Sequence, residues 1–223
     1  MRKNIQIAFF FIGQSPRPDI MEDIRKSFGL QYDIAEYGAL DGLDRGEISA
    51  LAPVSAEDTL ITKLRDGSQV RISAEAAEKL LAQKVKEAEG NGAALAAIMC
   101  TGEFNLQTLI PVITADDAFH RLQVFPEGSG KIGVIVPRAE QQETFAACYE
   151  RYGLKVITGV ADPYGDDAVI AAEARRLTEN GADLICLDCM GFTQQQALLA
   201  EKACGKETRI PRTEIIKAIK ETI

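Results

Sequence analysis

The sequence predicts an α/β protein of two similar halves with mainly parallel sheets, related by pseudo-twofold symmetry across a cleft. Three observations support this. Short apolar runs rich in Ile and Val alternate with helical patterns, which points to right-handed crossovers between parallel strands. A twelve-residue segment recurs at an offset of 89 residues. Each copy places a cysteine at the carboxyl end of its predicted strand, the end where α/β sheets bind ligands.

The predicted strands are Ile5–Ile12, Leu95–Cys100, Ile132–Val136, Lys155–Gly159 and Leu184–Cys189. Several are continuously apolar, as expected where helices cover both faces of a sheet. Helical patterning covers Pro18–Phe28, Ala74–Glu89, Glu140–Tyr152, Asp166–Asn180 and Gln194–Cys204, with a last helix from about Thr213. Met1-Arg2-Lys3-Asn4 followed by an apolar run resembles a signal peptide superficially. It lacks a small-residue cleavage site and runs into Gly13-Gln14-Ser15-Pro16, a strand-to-loop signal, so it reads as the first buried strand.

One stretch breaks the alternation. Leu60–Arg65 and Ser68–Ser73 flank Asp66-Gly67, a hairpin signal. The segment around 41–73 therefore reads as an insertion projecting from the first half. The repeat aligns Asn91–Gly102 on Asn180–Gly191 without gaps, identical at six of twelve positions. In both copies an Asn-Gly pair ends a charged helix, because glycine tolerates the left-handed backbone a C-cap needs. The opening strands lie 127 residues apart while the cysteines lie 89 apart, so the first half carries 38 extra residues, most of them the hairpin. The expected organisation is a first lobe over 1–130, a second over 131–205, and a helix over 206–223 packing back on the first. Gly128-Ser129-Gly130 reads as the link between lobes.

Composition narrows the function. The formal net charge of -8 disfavours binding to phosphate backbones, so no nucleic-acid partner is expected. No apolar run is long enough to span a bilayer, so no membrane partner is expected. Five cysteines, an odd number, predict reduced thiols and a cytoplasmic location. The oligomeric state is left open, with a homodimer among the options.

The matched pair Cys100 and Cys189 carries the candidate chemistry. A thiol near the start of a helix is stabilised as thiolate by backbone N–H groups and the helix dipole. Two such groups on opposite sides of one carbon can invert it, one removing a proton and the other delivering one. That chemistry needs no cofactor and no metal. Against it stands the ordinary behaviour of a buried cysteine as a small hydrophobe.

The segments Gly13–Asp19, Glu57–Leu60, Ile132–Pro137, Gly181–Asp183 and Leu187–Phe192 resemble the AroM family, within the aspartate/glutamate/hydantoin racemase superfamily, over nearly the whole chain. The resemblance implies two Rossmann-like lobes and a cleft carrying one cysteine from each. Cofactor-free racemases of the superfamily use both cysteines. This chain has Thr101 where an Asn commonly follows the first cysteine, and Met190 where racemases place a Thr.

The leading expectation is thus a racemase or isomerase-like enzyme acting on a small carboxylate-bearing molecule, with Cys100 and Cys189 as the acid/base pair. Backbone N–H groups of Thr101, Gly102, Met190 and Gly191 are candidates to bind a carboxylate or enolate. Gln14, Ser15 and Arg17 follow the first strand, and Pro137 and Arg138 occupy the matching loop of the second half. Arg17 could grip a carboxylate bidentately or simply open a helix. Arg212 reads as structural, and His120 as a surface or loop residue. Two alternatives stand beside this: a decarboxylase needing one thiol, and a small-molecule binding or regulatory protein without turnover. Cys186 and Cys189 form a C-x-x-C, but a strand position for Cys186 directs the two side chains to opposite faces and disfavours a disulfide.

Overall fold

The computed structural model describes residues 5–55, 58–121 and 130–223. The Glu57 end of one family-like segment and the Gly128-Ser129 part of the expected link lie outside the described residues. The chain divides into two compact units, Met1–Asp116 with Ile223, and Asp117–Thr222.

The first unit runs β1 (Ile5–Phe11), α1 (Pro18–Ser27), β2 (Tyr32–Gly38), α2 (Arg45–Ser49), β3 (Thr59–Lys63), β4 (Gln69–Ser73), α3 (Ala74–Gly90), β5 (Leu95–Ile98) and β6 (Val112–Ile113). Helix α4 (Ala115–Arg121) contains His120, which is therefore helical rather than in a loop. The sheet is parallel with strand order β2-β1-β5-β6. The second unit runs β7 (Lys131–Val136), α5 (Gln142–Glu150), β8 (Lys155–Val160), α6 (Asp167–Glu179), β9 (Ala182–Leu187), α7 (Gln194–Cys204), β10 (Thr208–Arg209) and α8 (Pro211–Thr222). Its sheet is also parallel, in the order β10-β9-β7-β8. Read in the opposite direction, as β8-β7-β9-β10, the second order matches the first position by position. The sequence repeat is therefore a repeat of topology, with β5 and β9 at matching interior positions.

The local reasons are those the sequence offered. Residues Ile7 to Phe11 of β1 are at most 1% exposed, as a doubly covered central strand requires. Pro18 opens α1, where its missing N–H costs nothing. Gly92 and Gly181, the paired C-cap glycines, have φ of +89° and +92°, so both helices stop in the left-handed turn the repeat demands. Edge strand β2 and the two-residue strands β6 and β10 were not predicted. Tyr32–Gly38 mixes Asp33 and Glu36 into its pattern because it is a partly exposed edge, which hides it from a search for apolar runs.

The hairpin differs from expectation in one respect. Strands β3 and β4 pair antiparallel around the Asp66-Gly67 turn, but they do not project free of the unit. Leu64 and Ile72 are buried in the same core as Phe10, Leu81 and Ile98. The insertion is thus laid on the unit's core, and Ser73 ends it by capping α3 through the Ala76 N–H.

Candidate active site

Each cysteine of the repeat lies just beyond its interior strand, Cys100 two residues after β5 and Cys189 two after β9. Both are partly exposed. The Gly102 N–H donates to Cys100 Sγ at 3.4 Å, and the Gly191 N–H donates to Cys189 Sγ at 3.4 Å. The same Cys-x-Gly turn therefore directs the same backbone donor at sulfur in both units. A donor at that position favours the charged thiolate over the thiol.

This local donor replaces the expected helix dipole at Cys100. Residues 99–111 contain neither helix nor strand, so no helix start stands behind that thiol. In the second unit α7 does follow, and its N-cap Thr193 lies four residues past Cys189. The first-unit loop is packed instead by the hairpin and by Phe104. A methyl group added at Gly102 would meet Leu60 Cδ2 and Phe104 Cζ at 3.4 Å and Cys100 Sγ at 3.5 Å.

The loop after β1 is held by a carboxylate that the sequence reading did not single out. Asp41 accepts the Ser15 N–H at 2.8 Å, the Ser15 hydroxyl, and the Gly38 N–H at 2.8 Å. Arg65, at the hairpin turn, donates to Asp41 at 3.2 Å and to the Ser15 carbonyl at 2.7 Å. Gln14 accepts the Arg65 N–H at 3.0 Å and donates weakly to the Leu40 carbonyl at 3.4 Å. Gln14 and Ser15 thus tie hairpin, loop and β2 end together. Arg17 is 8% exposed, and its guanidinium grips Asp19 bidentately at 2.9 and 2.8 Å. It also lies 5.7 Å from the Phe11 ring centroid. A substrate carboxylate would have to displace Asp19 to use that fork.

In the second unit the loops beyond three strands meet. Arg138, following Pro137, pairs with Asp162 at 2.9 Å. The Asp162 carboxylate accepts the Tyr164 N–H at 2.9 Å, and Gln196 anchors the Pro163 carbonyl at 2.9 Å. Pro163 and Tyr164 in turn cover Gly191, where a methyl group would meet Pro163 Cγ at 2.8 Å and the Tyr164 hydroxyl at 3.0 Å. Met190 is buried, and its carbonyl accepts two donations from Arg212, by Nε at 3.2 Å and Nη2 at 2.5 Å.

Beneath the Cys189 loop lies a buried polar cluster. The Tyr149 hydroxyl donates to Asp188 at 2.8 Å and lies 3.3 Å from Cys186 Sγ. Burial, reinforced by the Asp188 charge, pushes the Cys186 thiol well above its ordinary range. Burial and the same neighbour push the Tyr149 phenol up as well. Cys186 is therefore a protonated core thiol, and it forms no disulfide with Cys189. Among the described residues no cluster of His, Cys, Asp and Glu has the makings of a metal site, and no helix is long and apolar enough to cross a membrane.

A family model described as AroM protein matches residues 7–223. The chain belongs to the AroM family. No curated protein matches it. Solved structures with the same fold include an arylmalonate decarboxylase, with TM-score 0.63 and 14% identity, over 96% of this chain and 91% of that one. Another is the maleate cis-trans isomerase of Nocardia farcinica, with TM-score 0.64 and 12% identity, over 98% of this chain and 92% of that one. A third is the glutamate racemase of Aquifex pyrophilus, with TM-score 0.56 and 14% identity, over 98% of this chain and 84% of that one. At such identities the likeness establishes the fold, which this AroM protein shares with racemases, an isomerase and a decarboxylase.

Proposed function

We propose that this AroM protein is a racemase or isomerase-like enzyme in which Cys100 and Cys189 move protons at one carbon of a small carboxylate-bearing substrate. One observation carries the reading: two cysteines at matching strand ends, each receiving the N–H of the glycine two residues on. A residue that merely filled space would have no reason to recur with its donor. One thiolate abstracts the proton, leaving a carbanion that the carboxylate delocalises as an enediolate, and the other thiol then protonates that carbon from the opposite face and is left as thiolate. Thiol proton transfer of this kind calls on no cofactor. A one-thiol decarboxylase would leave the second matched cysteine without a role, so the pair favours two-base transfer.

The test is exchange in deuterated water with glutamate, aspartate, maleate and an arylmalonate, the small carboxylates in the names of proteins that share the fold. Two-base transfer predicts deuterium uptake at the reacting carbon in the wild type. Cys100→Ser and Cys189→Ser should each abolish interconversion while retaining the fold. Loss of carbon dioxide that survives in one of the two variants would favour the decarboxylase. Tight binding with no exchange in any of them would favour a binding protein.

A further inference from the structure

Arg212 is the one buried cation of the second unit among the described residues, 2% exposed at the start of α8. Both of its donations to the Met190 carbonyl fall on the residue between Cys189 and Gly191. The Met190–Gly191 peptide is trans, so its C=O and its N–H point in opposite directions. With the carbonyl fixed on Arg212, the N–H is left facing Cys189 Sγ, where it donates at 3.4 Å. We propose that Arg212 is a positioning residue that sets the reactivity of Cys189 through this one peptide group, without touching substrate.

Two effects act in the same direction. The two-point grip fixes the rotation of the peptide plane, and with it the aim of the Gly191 N–H. A cation on the carbonyl also polarises the peptide and makes its N–H a better donor. The surroundings make such help necessary. Asp188 adjoins Cys189, and Tyr149 and Cys186 lie behind Asp188, while Tyr164 flanks Gly191. Glu214, two residues on in α8, is buried and engaged by Lys217 at 2.9 Å and Arg209 at 3.5 Å. Tyr149 and Cys186 stay protonated and Glu214 is paired with Lys217 and Arg209, so the Asp188 carboxylate is the negative charge beside Cys189, and negative charge nearby disfavours a second anion. Arg212 supplies the opposing charge, one peptide away from the sulfur. Cys100 has the same local donor, so it serves as an internal control in the same molecule.

The inference rests on Cys189 being a reactive thiol, and its test reads that thiol rather than turnover. The full chain is alkylated with iodoacetamide across a pH series, and each cysteine is followed by mass spectrometry. Wild type is compared with Arg212→Gln, which keeps an N–H donor but no charge, and Arg212→Lys, which keeps charge but loses the planar fork. The midpoint of the Cys189 curve should rise by about one pH unit in Arg212→Gln, which is about a tenfold loss of labelling near neutral pH. The rise should be smaller in Arg212→Lys, and the Cys100 curve should stay in place in both. If Arg212→Gln does not fold, Arg212→Lys decides alone by the same criterion. Unchanged Cys189 curves overturn the inference and leave the proposed function standing. Curves for Cys100, Cys186 and Cys189 that move together reveal a merely structural arginine and also overturn it. A Cys189 already inert in the wild type overturns both readings.

Discussion

Raising the pH should destabilise the second unit through Cys186, by an amount the structure allows to be worked out. The thiol is fully buried beside Tyr149 and Asp188, so the folded chain keeps its proton to a pH well above the ordinary thiol range. The unfolded chain releases that proton near pH ~8.5. Below that value both states are protonated and Cys186 adds no pH dependence. Above it the unfolded state binds fewer protons, so stability falls as pH rises. Each unit of pH costs about 1.4 kcal/mol, so by about pH 10 the loss from this one group is roughly 2 kcal/mol. Cys186→Ser removes the titration and keeps a group able to bond the Tyr149 hydroxyl. At neutral pH the variant should be less stable by about 1 kcal/mol, a typical cost for a buried substitution. Urea unfolding at a series of pH values should then show the two stabilities converging above about pH 8.5 and crossing before pH 10. The other thiols are common to both proteins and cancel in the difference. Parallel stability curves across that range, or a thiolate absorbance from Cys186 in the folded protein below pH 9, would sink the reasoning.

Three further outcomes are expected. Asp41→Ala should cost about 2 kcal/mol in urea unfolding, since it strands the Ser15 and Gly38 N–H groups, with some relief from water because the side chain is 21% exposed. Gly191→Ala should cost about 1–3 kcal/mol and slow Cys189 alkylation selectively, because the new methyl must push Pro163 or Tyr164 aside; unchanged Cys189 labelling would mean the turn tolerates the shift. Arg17→Ala should lower the thermal midpoint, because its guanidinium is already committed to Asp19; unchanged stability with lost ligand binding would return Arg17 to the substrate.

The legible part of the fold was the part written in periodicity. Interior strands such as β1 and β7 are apolar from Ile7 to Phe11 and from Ile132 to Val136, and the helices between them carry the expected spacing, so both their type and their approximate limits could be read. The paired C-cap glycines and the paired cysteines were legible because the chain contains its own comparison, one half against the other. What escaped was whatever depends on tertiary partners. Asp41 looks like any acidic residue in a turn, and its four acceptor contacts involve residues as far apart as Ser15 and Arg65. Arg212 follows a proline at a helix start, an ordinary place for a surface arginine. Nothing local announces that its side chain is buried against a carbonyl twenty-two residues earlier.

That contrast bears on how a repeated scaffold presents one chemical group in two different surroundings. The Cys-x-Gly turn needs only local backbone geometry, and it is present in both units with the same 3.4 Å donor contact. What packs against the turn differs between the two. In the first unit no helix directly follows β5, and an inserted hairpin packs Leu60 against the glycine. In the second unit α7 follows, the loop after β8 covers the glycine, and an arginine from α8 fixes the peptide before it. The first support is apolar and the second carries a positive charge. Two thiols with the same local donor are therefore placed in electrostatically different settings, and under the proposed function that difference would set which thiol begins a turnover as base and which as acid.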